Sequence, residues 1–202
     1  MASQTKAVPQ GNSAFFGIEA EKQPQPETGA VGLVISEMKH QGKLNIRCRP
    51  AFHKTLSKIV GLDTAPANNH VSRTDSRQAV WLGPDEIMLL VEAGSEDALA
   101  KQIEDQQGKQ TISVNDVSDA LTSLHLKGPA IRDVLAKGCA LDLHPDHFKA
   151  GQCAQTMLSH AAVTLVALAD DEMLVICRTS FTEYTVAYLC DAALEYGYQL
   201  KA

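Results

Sequence analysis

Residues 139–153 of this sequence contain three types of side chain that commonly bind metal ions. The stretch holds Cys139, Asp142, His144, Asp146, His147 and Cys153. Two thiolates and two imidazoles could together enclose a zinc ion. Their spacing matches no standard zinc finger, however, and residues 144–147 fall where a loop is predicted. The competing interpretation is a turn whose aspartates accept backbone N–H groups, with the two cysteines as small buried hydrophobic residues. The sequence favours this second interpretation, and we expect no metal in this chain.

A carboxylate and a hydroxyl, those of Asp116 and Ser118, stand close together at the end of a predicted strand. General acid–base catalysis would need a second group nearby with a displaced pKa, and the sequence offers none. The alternative is that both side chains bond the local backbone. The chain also lacks the Gly-x-Ser-x-Gly signature of a serine nucleophile and the glycine-rich loop of a phosphate site. We therefore predict no catalytic and no cofactor-binding residue.

Three aromatic residues are candidates for contact with a partner protein. Phe15 and Phe16 are adjacent in a polar stretch rich in Pro and Gln, so they are either a chance pair or an anchor that becomes ordered on a partner surface. Trp81 is the only tryptophan and lies in a predicted strand. A lone Trp there is typical of a core, and the alternative is an interface hot spot.

Composition excludes several classes of protein. The formal net charge is -6 and the basic residues form no run, which argues against nucleic-acid binding. The longest apolar run, residues 161–169, is about half the length of a membrane helix, and no signal peptide is recognisable. Five cysteines without a Cys-x-x-Cys pair suit reduced thiols. We expect a cytoplasmic protein that binds neither nucleic acid nor membranes.

The sequence contains an internal duplication. Residues 50–63 correspond to residues 129–142 without a gap, and residues 85–91 correspond to residues 171–177. The apolar positions coincide at helical spacing, whereas the polar residues differ. A unit of about eighty residues is too long for a solenoid module, so the pattern indicates two copies of one α/β half. Repeated packing with divergent polar residues points to a scaffold before it points to an active site.

Each half is predicted to contain strands, a helix, a hairpin and a second helix. The predicted strands are 31–38, 44–49, 79–82, 86–91, 111–117, 121–126, 154–168 and 172–178. The first predicted helix begins at Pro50, and the others are 95–106, 129–137 and 181–196, with Ser95 as a helix cap and residues 64–78 as a polar loop. This order predicts an α+β fold of two pseudo-repeated strand-helix-hairpin-helix halves, with mixed or antiparallel sheets and helices on one face. We divide the chain into a flexible arm (1–30), a first half (31–108) and a second half (109–202), the halves forming one compact unit.

Several motifs, taken in order, resemble one known family. They are Trp81–Leu90, Asp116–Ser118, Lys127–Leu135, Leu141–Pro145, Phe148–Thr156 and Arg178–Phe181. Over residues 31–197 they are similar to the gamma subunit of heterotetrameric sarcosine oxidase. One departure is Ile87, where that family usually has a second tryptophan.

The resemblance implies a non-catalytic structural subunit of a bacterial cytoplasmic complex. The complex oxidatively demethylates sarcosine to glycine, with hydrogen peroxide and methylene-tetrahydrofolate as products. The implied partners are the alpha, beta and delta subunits, alpha most directly. FAD, FMN, NAD, tetrahydrofolate and zinc are expected on these partner subunits and none of them on this chain. The implied fold is similar to the folate-binding domain of aminomethyltransferase, the glycine-cleavage T protein.

That kinship supplies a rival hypothesis, a stand-alone folate-dependent one-carbon transferase or folate-binding protein. The T-protein pattern continues to an Asn-x-x-Gly-Gly segment with acidic residues that hold the pterin. Here residues 151–163 contain neither a Gly-Gly pair nor an acidic residue. Without a carboxylate acceptor, each buried pterin donor would remain unpaired at a cost of about 1–3 kcal/mol. The sequence therefore disfavours folate binding.

Overall fold

The computed structural model describes residues 13–15, 17, 18, 27, 29 and 31–201, and this part of the chain contains eleven strands and four α-helices. The strands are β1 (Leu33–Glu37), β2 (Gly42–Arg47), β3 (Val71–Arg73), β4 (Gln78–Gly83), β5 (Glu86–Val91), β6 (Ser113–Asp116), β7 (Leu121–Lys127), β8 (Cys153–Leu158), β9 (Ala161–Ala169), β10 (Glu172–Arg178) and β11 (Tyr198–Lys201). The helices are α1 (Pro50–Ile59), α2 (Glu96–Asp105), α3 (Ile131–Ala136) and α4 (Thr182–Ala192). Within the described residues, no helix combines the length and apolar character needed to cross a bilayer.

The strands form two sheets. One sheet has six strands in the order β11-β1-β7-β10-β9-β8, and it is mixed because β11 runs parallel to β1. The other has five strands in the order β3-β4-β5-β2-β6, all antiparallel to their neighbours. The predicted α+β fold with mixed and antiparallel sheets is confirmed.

Three apolar clusters arrange these sheets and helices in four layers. In the first cluster α3 and α4 pack on one face of the six-stranded sheet, and in the second α1 and α2 pack on one face of the five-stranded sheet. The third cluster lies between the two sheets and joins Val80, Met88 and Leu90 to Val166 and Leu174. Each sheet thus carries helices on one face and the other sheet on its second face.

The two halves exchange a strand. β1 belongs to the first half of the sequence but pairs with β7, where Ile35 lies opposite Leu126. β6 belongs to the second half but pairs with β2, where Val114 lies opposite Ile46. Each half therefore completes the sheet of the other, and neither buries its own sheet edge without its counterpart.

In each half, the segment before the first helix is bonded to a later hairpin turn in the same way. Pro50 occupies the first turn of α1, as predicted, because the missing N–H of proline is not needed there. The N–H of Cys48, just before α1, donates to the carbonyl of Asp85 in the following hairpin turn (3.0 Å). In the second half, the N–H of Gly128 donates to the carbonyl of Asp171 (2.9 Å). The duplication seen in the sequence is thus a duplication of tertiary contacts.

Several local predictions differ from the structure. The polar loop 64–78 contains the short strand β3, and β11 follows the last helix; both pair with strands distant in sequence, which local patterns do not reveal. Residues 154–168 form a hairpin, because Ser159 adopts a left-handed conformation (φ 51°) between β8 and β9. Ser95 occupies the N-cap position of α2, as predicted, but its hydroxyl donates to the carbonyl of Glu92 (2.7 Å) and makes no capping bond to the helix. The last helix ends at Ala192 and continues as a short 3₁₀ turn.

Candidate functional site

The candidate zinc ligands do not converge. Cys139 is buried in the cluster on the helix side of the six-stranded sheet, and Cys153 is buried in the cluster between the sheets. The sheet itself therefore separates the two sulfur atoms. His144 and His147 are exposed, with ring centroids 6.2 Å apart. Among the described residues, no group of three or more His, Cys, Asp or Glu side chains is placed to hold a metal ion.

The loop that carries these histidines is organised by backbone contacts. The guanidinium of Arg132, on α3, donates to the carbonyls of Leu143 and Phe148, and its Nε donates to the carbonyl of Asp170 (2.9 Å). The carboxylate of Asp142 accepts the N–H of His144 (2.9 Å). These bonds have the form of the turn that the sequence favoured.

Asp116 and Ser118 also make local bonds. The carboxylate of Asp116 accepts both the N–H (2.9 Å) and the hydroxyl (2.5 Å) of Ser118. The oxygen of that hydroxyl accepts the N–H of Lys43 (2.9 Å). The pair therefore joins the turn after β6 to β2, at the point where the chain crosses between the two sheets.

Lys43 is a buried cation that the sequence analysis did not single out. Only 3% of it is exposed, and its Nζ donates to the carbonyl of Gln41 (2.8 Å). Burial lowers the pKa of Lys43, while the carboxylates of Glu37 and Asp116 act in the opposite direction. In β2, Lys43 and the buried Leu44 point to opposite faces of the sheet, and the face of Lys43 would be exposed in an isolated sheet. The second sheet covers that face, and no local signal predicts this.

Phe15 packs against the protein's own core. It is 7% exposed and belongs to the cluster beneath α3 and α4. The neighbouring backbone is attached to Glu37 on β1, whose carboxylate accepts the N–H of Ala14 (3.0 Å) and the hydroxyl of Ser13. Phe16 lies outside the described residues. Contact of Phe15 with a partner protein stays a prediction, but most of the residue's surface is already buried within this chain.

Trp81 lies at the seam between the sheets. Its side chain is half-buried against the inter-sheet cluster, and its carbonyl accepts the thiol of Cys153 (3.3 Å). Burial raises the pKa of Cys153 to about 11, so this thiol is not a nucleophile near neutral pH. The predicted partner contact of Trp81 stays a prediction.

The segment that differs from the T-protein pattern, residues 151–163, also connects the sheets. The amide of Gln155 donates to the carbonyl of Leu82 (2.7 Å), and the N–H of Cys153 donates to the carbonyl of Asn69 (2.8 Å). These groups of β8 are therefore used to attach the six-stranded sheet to the five-stranded one.

A cavity of about 410 Å³ lies between the turn after β1, the turn before β4 and the end of β5. Its lining includes Glu37, Gln41, Gln78 and Glu92. The Oε1 atoms of Gln41 and Gln78 are buried and have no hydrogen-bond partner among the described residues. They have almost no accessible surface, so they do not form the wall that a bound molecule would touch.

An aromatic surface formed by α4 and the residue before it was also missed by the sequence analysis. Phe181 and Tyr184 are 39% and 37% exposed, and their rings meet edge to face with centroids 6.3 Å apart. The signal that could have found it is the spacing of Phe181, Tyr184 and Tyr188, which places them on one side of a helix.

Comparison with known proteins identifies the family. The model of the "Sarcosine oxidase, gamma subunit family" matches residues 46–195. The sarcosine oxidase subunit gamma of Corynebacterium sp. (strain U-96) is 33% identical over 172 residues, covering 84% of this chain and 83% of that protein. The subunit gamma of Arthrobacter sp is 33% identical over 181 residues, covering 88% of each chain.

Solved structures agree with this match. A chain of the heterotetrameric sarcosine oxidase from Corynebacterium sp. U-96 superposes with a TM-score of 0.80 at 29% identity, over 90% of this chain and 94% of that one. The glycine cleavage system aminomethyltransferase T from Bartonella henselae has a TM-score of 0.60 at 13% identity, over 85% of this chain and 48% of that one, which shows a shared fold. The chain belongs to the sarcosine oxidase gamma subunit family.

Proposed function

We propose that this chain is the gamma subunit of a heterotetrameric sarcosine oxidase and serves it as a non-catalytic structural component. The observation that carries the proposal is the match to a chain of a solved heterotetrameric sarcosine oxidase over nearly the full length of both chains. A match of this extent indicates an equivalent whole subunit and not a shared module.

The assignment of a structural role is supported by how the candidate chemical groups are used. The carboxylate of Asp116 bonds Ser118, the thiol of Cys153 bonds backbone carbonyls, and Arg132 organises a loop. Each group is engaged in a contact that joins elements of the fold. A scaffold uses polar groups in this way.

The proposed assembly contains alpha, beta and delta subunits, with alpha the most direct neighbour of this chain. In this proposal FAD, FMN, NAD, tetrahydrofolate and zinc are bound by those partners, and the assembled enzyme oxidatively demethylates sarcosine in the cytoplasm.

Co-expression with the three partner chains of the same organism tests the proposal. With an affinity tag on alpha, we expect this chain to co-purify in a one-to-one ratio through a high-salt wash, because obligate interfaces bury mostly apolar surface. Expressed alone, the chain should show no flavin absorbance. Failure to co-purify would refute the assignment to the complex, and a flavin bound stoichiometrically to the isolated chain would refute the non-catalytic role.

The rival hypothesis of folate binding is decided by titrating the isolated chain with tetrahydrofolate. The likeness to aminomethyltransferase concerns the fold alone, and residues of the segment 151–163 bond the neighbouring sheet. We expect no saturable binding. Saturable binding at micromolar concentration would favour a folate-dependent protein.

A further inference from the structure

We propose that the outer face of α4 is a docking surface for a partner subunit whose matching surface is apolar at its centre and basic at its rim. This inference rests on the proposed function, because it assumes an assembly with other subunits. The docking face consists of Phe181, Tyr184, Ala187 and Tyr188, flanked by Glu183 and Asp191.

The aromatic side chains of the docking face are held in place before any partner binds. The hydroxyl of Tyr184 donates to Oγ of Ser159 in the turn between β8 and β9 (2.8 Å) and accepts the N–H of His160 (3.4 Å). The edge of one ring meets the face of the other between Phe181 and Tyr184, with an interplanar angle of 87°. A fixed aromatic side chain loses little conformational entropy on association, which favours its use as an interface anchor.

The first half of the protein contains a helix equivalent to α4 that lacks exposed aromatic residues. α2 occupies in the first half the position that α4 occupies in the second, and Leu99 and Ile103 of α2 are buried like Thr185 and Leu189 of α4. The remaining correspondence pairs Ala98, Lys101 and Gln102 of α2 with Tyr184, Ala187 and Tyr188 of α4.

This comparison separates the requirements of the fold from the docking face. α2 packs on its sheet although it has Ala98, Lys101 and Gln102 at these three positions, all of them on its solvent-exposed side. Tyr184 is therefore not needed to cover a sheet in this fold, whereas Tyr188 also packs against the core cluster beneath α4. Tyrosine is enriched at protein interfaces and at their hot spots, whereas lysine is depleted there.

The charges of α4 indicate the chemistry of the partner. α4 contains Glu183 and Asp191, both exposed, and contains no Lys or Arg. α2 also has acidic residues, Asp97 and Asp105, at the two corresponding positions, but it carries the basic Lys101 between them where α4 has Ala187. Lys137, outside α4, bonds the carboxylate of Glu195 and the carbonyl of Ala192, the last residue of α4 (2.6 Å), so its charge lies at the C-terminal end of the helix. A face with carboxylates at its border is complementary to a partner surface with Lys or Arg at the corresponding positions.

The test replaces the docking face with that of α2, in the co-expressed complex. The variant Tyr184→Ala, Ala187→Lys, Tyr188→Gln carries the residues that α2 has at these positions. The control variant, Ala98→Ser with Lys101→Ala, alters the exposed face of α2 and keeps the bond from the amide of Gln102 to the carbonyl of Ile59. Affinity for a purified complex of the other three subunits is measured at low and moderate salt. We expect the first variant to bind about tenfold or more weakly and the control to bind like the natural chain.

A charge-reversal variant keeps the result interpretable if the triple variant is poorly folded. Glu183→Lys with Asp191→Lys leaves both tyrosines and the bond to Ser159 in place. We expect it to weaken binding mainly at low salt, since rim charges act through screened electrostatics. In the natural complex, Phe181 and Tyr184 should also be protected from hydroxyl-radical oxidation relative to the isolated chain.

The outcomes distinguish the docking face from the proposed function. If the natural chain joins the complex and all variants bind equally well, with the two rings still oxidised, the docking face is wrong and the proposed function stands. If the natural chain does not join the complex, the proposed function fails and this inference fails with it. If the isolated chain forms a dimer that the triple variant abolishes, the occupant is a second copy, and the partner-subunit proposal is overturned.

Discussion

Phe15→Ala is the substitution that most directly tests how the N-terminal segment is held. The ring is 7% exposed in the core beneath α3 and α4, and the adjacent backbone is bonded to Glu37. Burying a Phe side chain contributes about 1.5–3 kcal/mol, and truncation that leaves a cavity costs about 3–5 kcal/mol.

We expect the segment to detach locally from the protein when the ring is removed, so the lower part of this range applies. We expect Phe15→Ala to lower the free energy of unfolding by about 2–3 kcal/mol. For a chain of this size, the corresponding fall in Tm is about 4–12 °C. The measurement is thermal and urea unfolding of the isolated chain, followed by circular dichroism.

A second substitution tests whether Phe15 and Glu37 hold the same segment. Glu37→Gln keeps the size of the side chain but removes its charge, which should cost about 1 kcal/mol through weaker hydrogen bonds. Once the segment has detached, the second change has nothing more to remove. The double variant should therefore be nearly as stable as Phe15→Ala alone, so the two costs do not add.

The matched control is Phe181→Ala, which makes the same chemical change at a ring that is 39% exposed. We expect its effect on stability to stay within about 0.5 kcal/mol. The reasoning is refuted if Phe15→Ala is no more destabilising than Phe181→Ala, or if the costs at Phe15 and Glu37 are fully additive.

Three further predictions concern backbone packing, acid stability and thiol reactivity. Gly128 has φ 148°, and an added Cβ would lie 2.2 Å from the carbonyl oxygen of Gly32, so Gly128→Ala should lower the free energy of unfolding in urea by about 2–4 kcal/mol. The control Gly94→Ala, at φ 81° with no atom within 4 Å of the added Cβ, should lower it by about 1 kcal/mol. Equal losses for the two variants would contradict the close contact at Gly128. The hydrogen bond between His125 and Glu172 (2.6 Å) lowers the pKa of Glu172. The ionised Glu172 therefore stabilises the fold above its unfolded-state pKa, and this stabilisation is lost as the pH falls through its folded-state pKa. Glu172→Gln should flatten the acid side of the plot of unfolding free energy against pH, and an unchanged plot would contradict this prediction. Burial raises the pKa of Cys153 to about 11 and of Cys190 to about 12. Iodoacetamide at neutral pH should therefore label both thiols only after unfolding in urea, as measured by mass spectrometry. Rapid labelling of the folded chain would contradict this prediction.

The sequence by itself determined the elements that depend on local patterns. The hairpin of β4 and β5, the proline at the start of α1, strand β10 and the buried face of α2 all follow from turn residues and hydrophobic periodicity. The duplication was also visible in the sequence, since it needs only the comparison of two stretches. The ordered motifs indicated the family, which the comparisons confirm.

Only the tertiary structure decided which distant residues meet. The exchange of β1 and β6, the pairing of β3 and the parallel β11 join strands that are far apart in the chain, and no local pattern records such partners. The same reason explains the site residues. Cys139 and Cys153 are near in sequence but lie on opposite faces of a sheet. Phe15, in contrast, belongs to a core whose other members are Leu33, Ile35 and residues between 124 and 193. Lys43 is buried because the second sheet covers a face that an isolated strand would expose, and burial of that kind is a property of packing between layers.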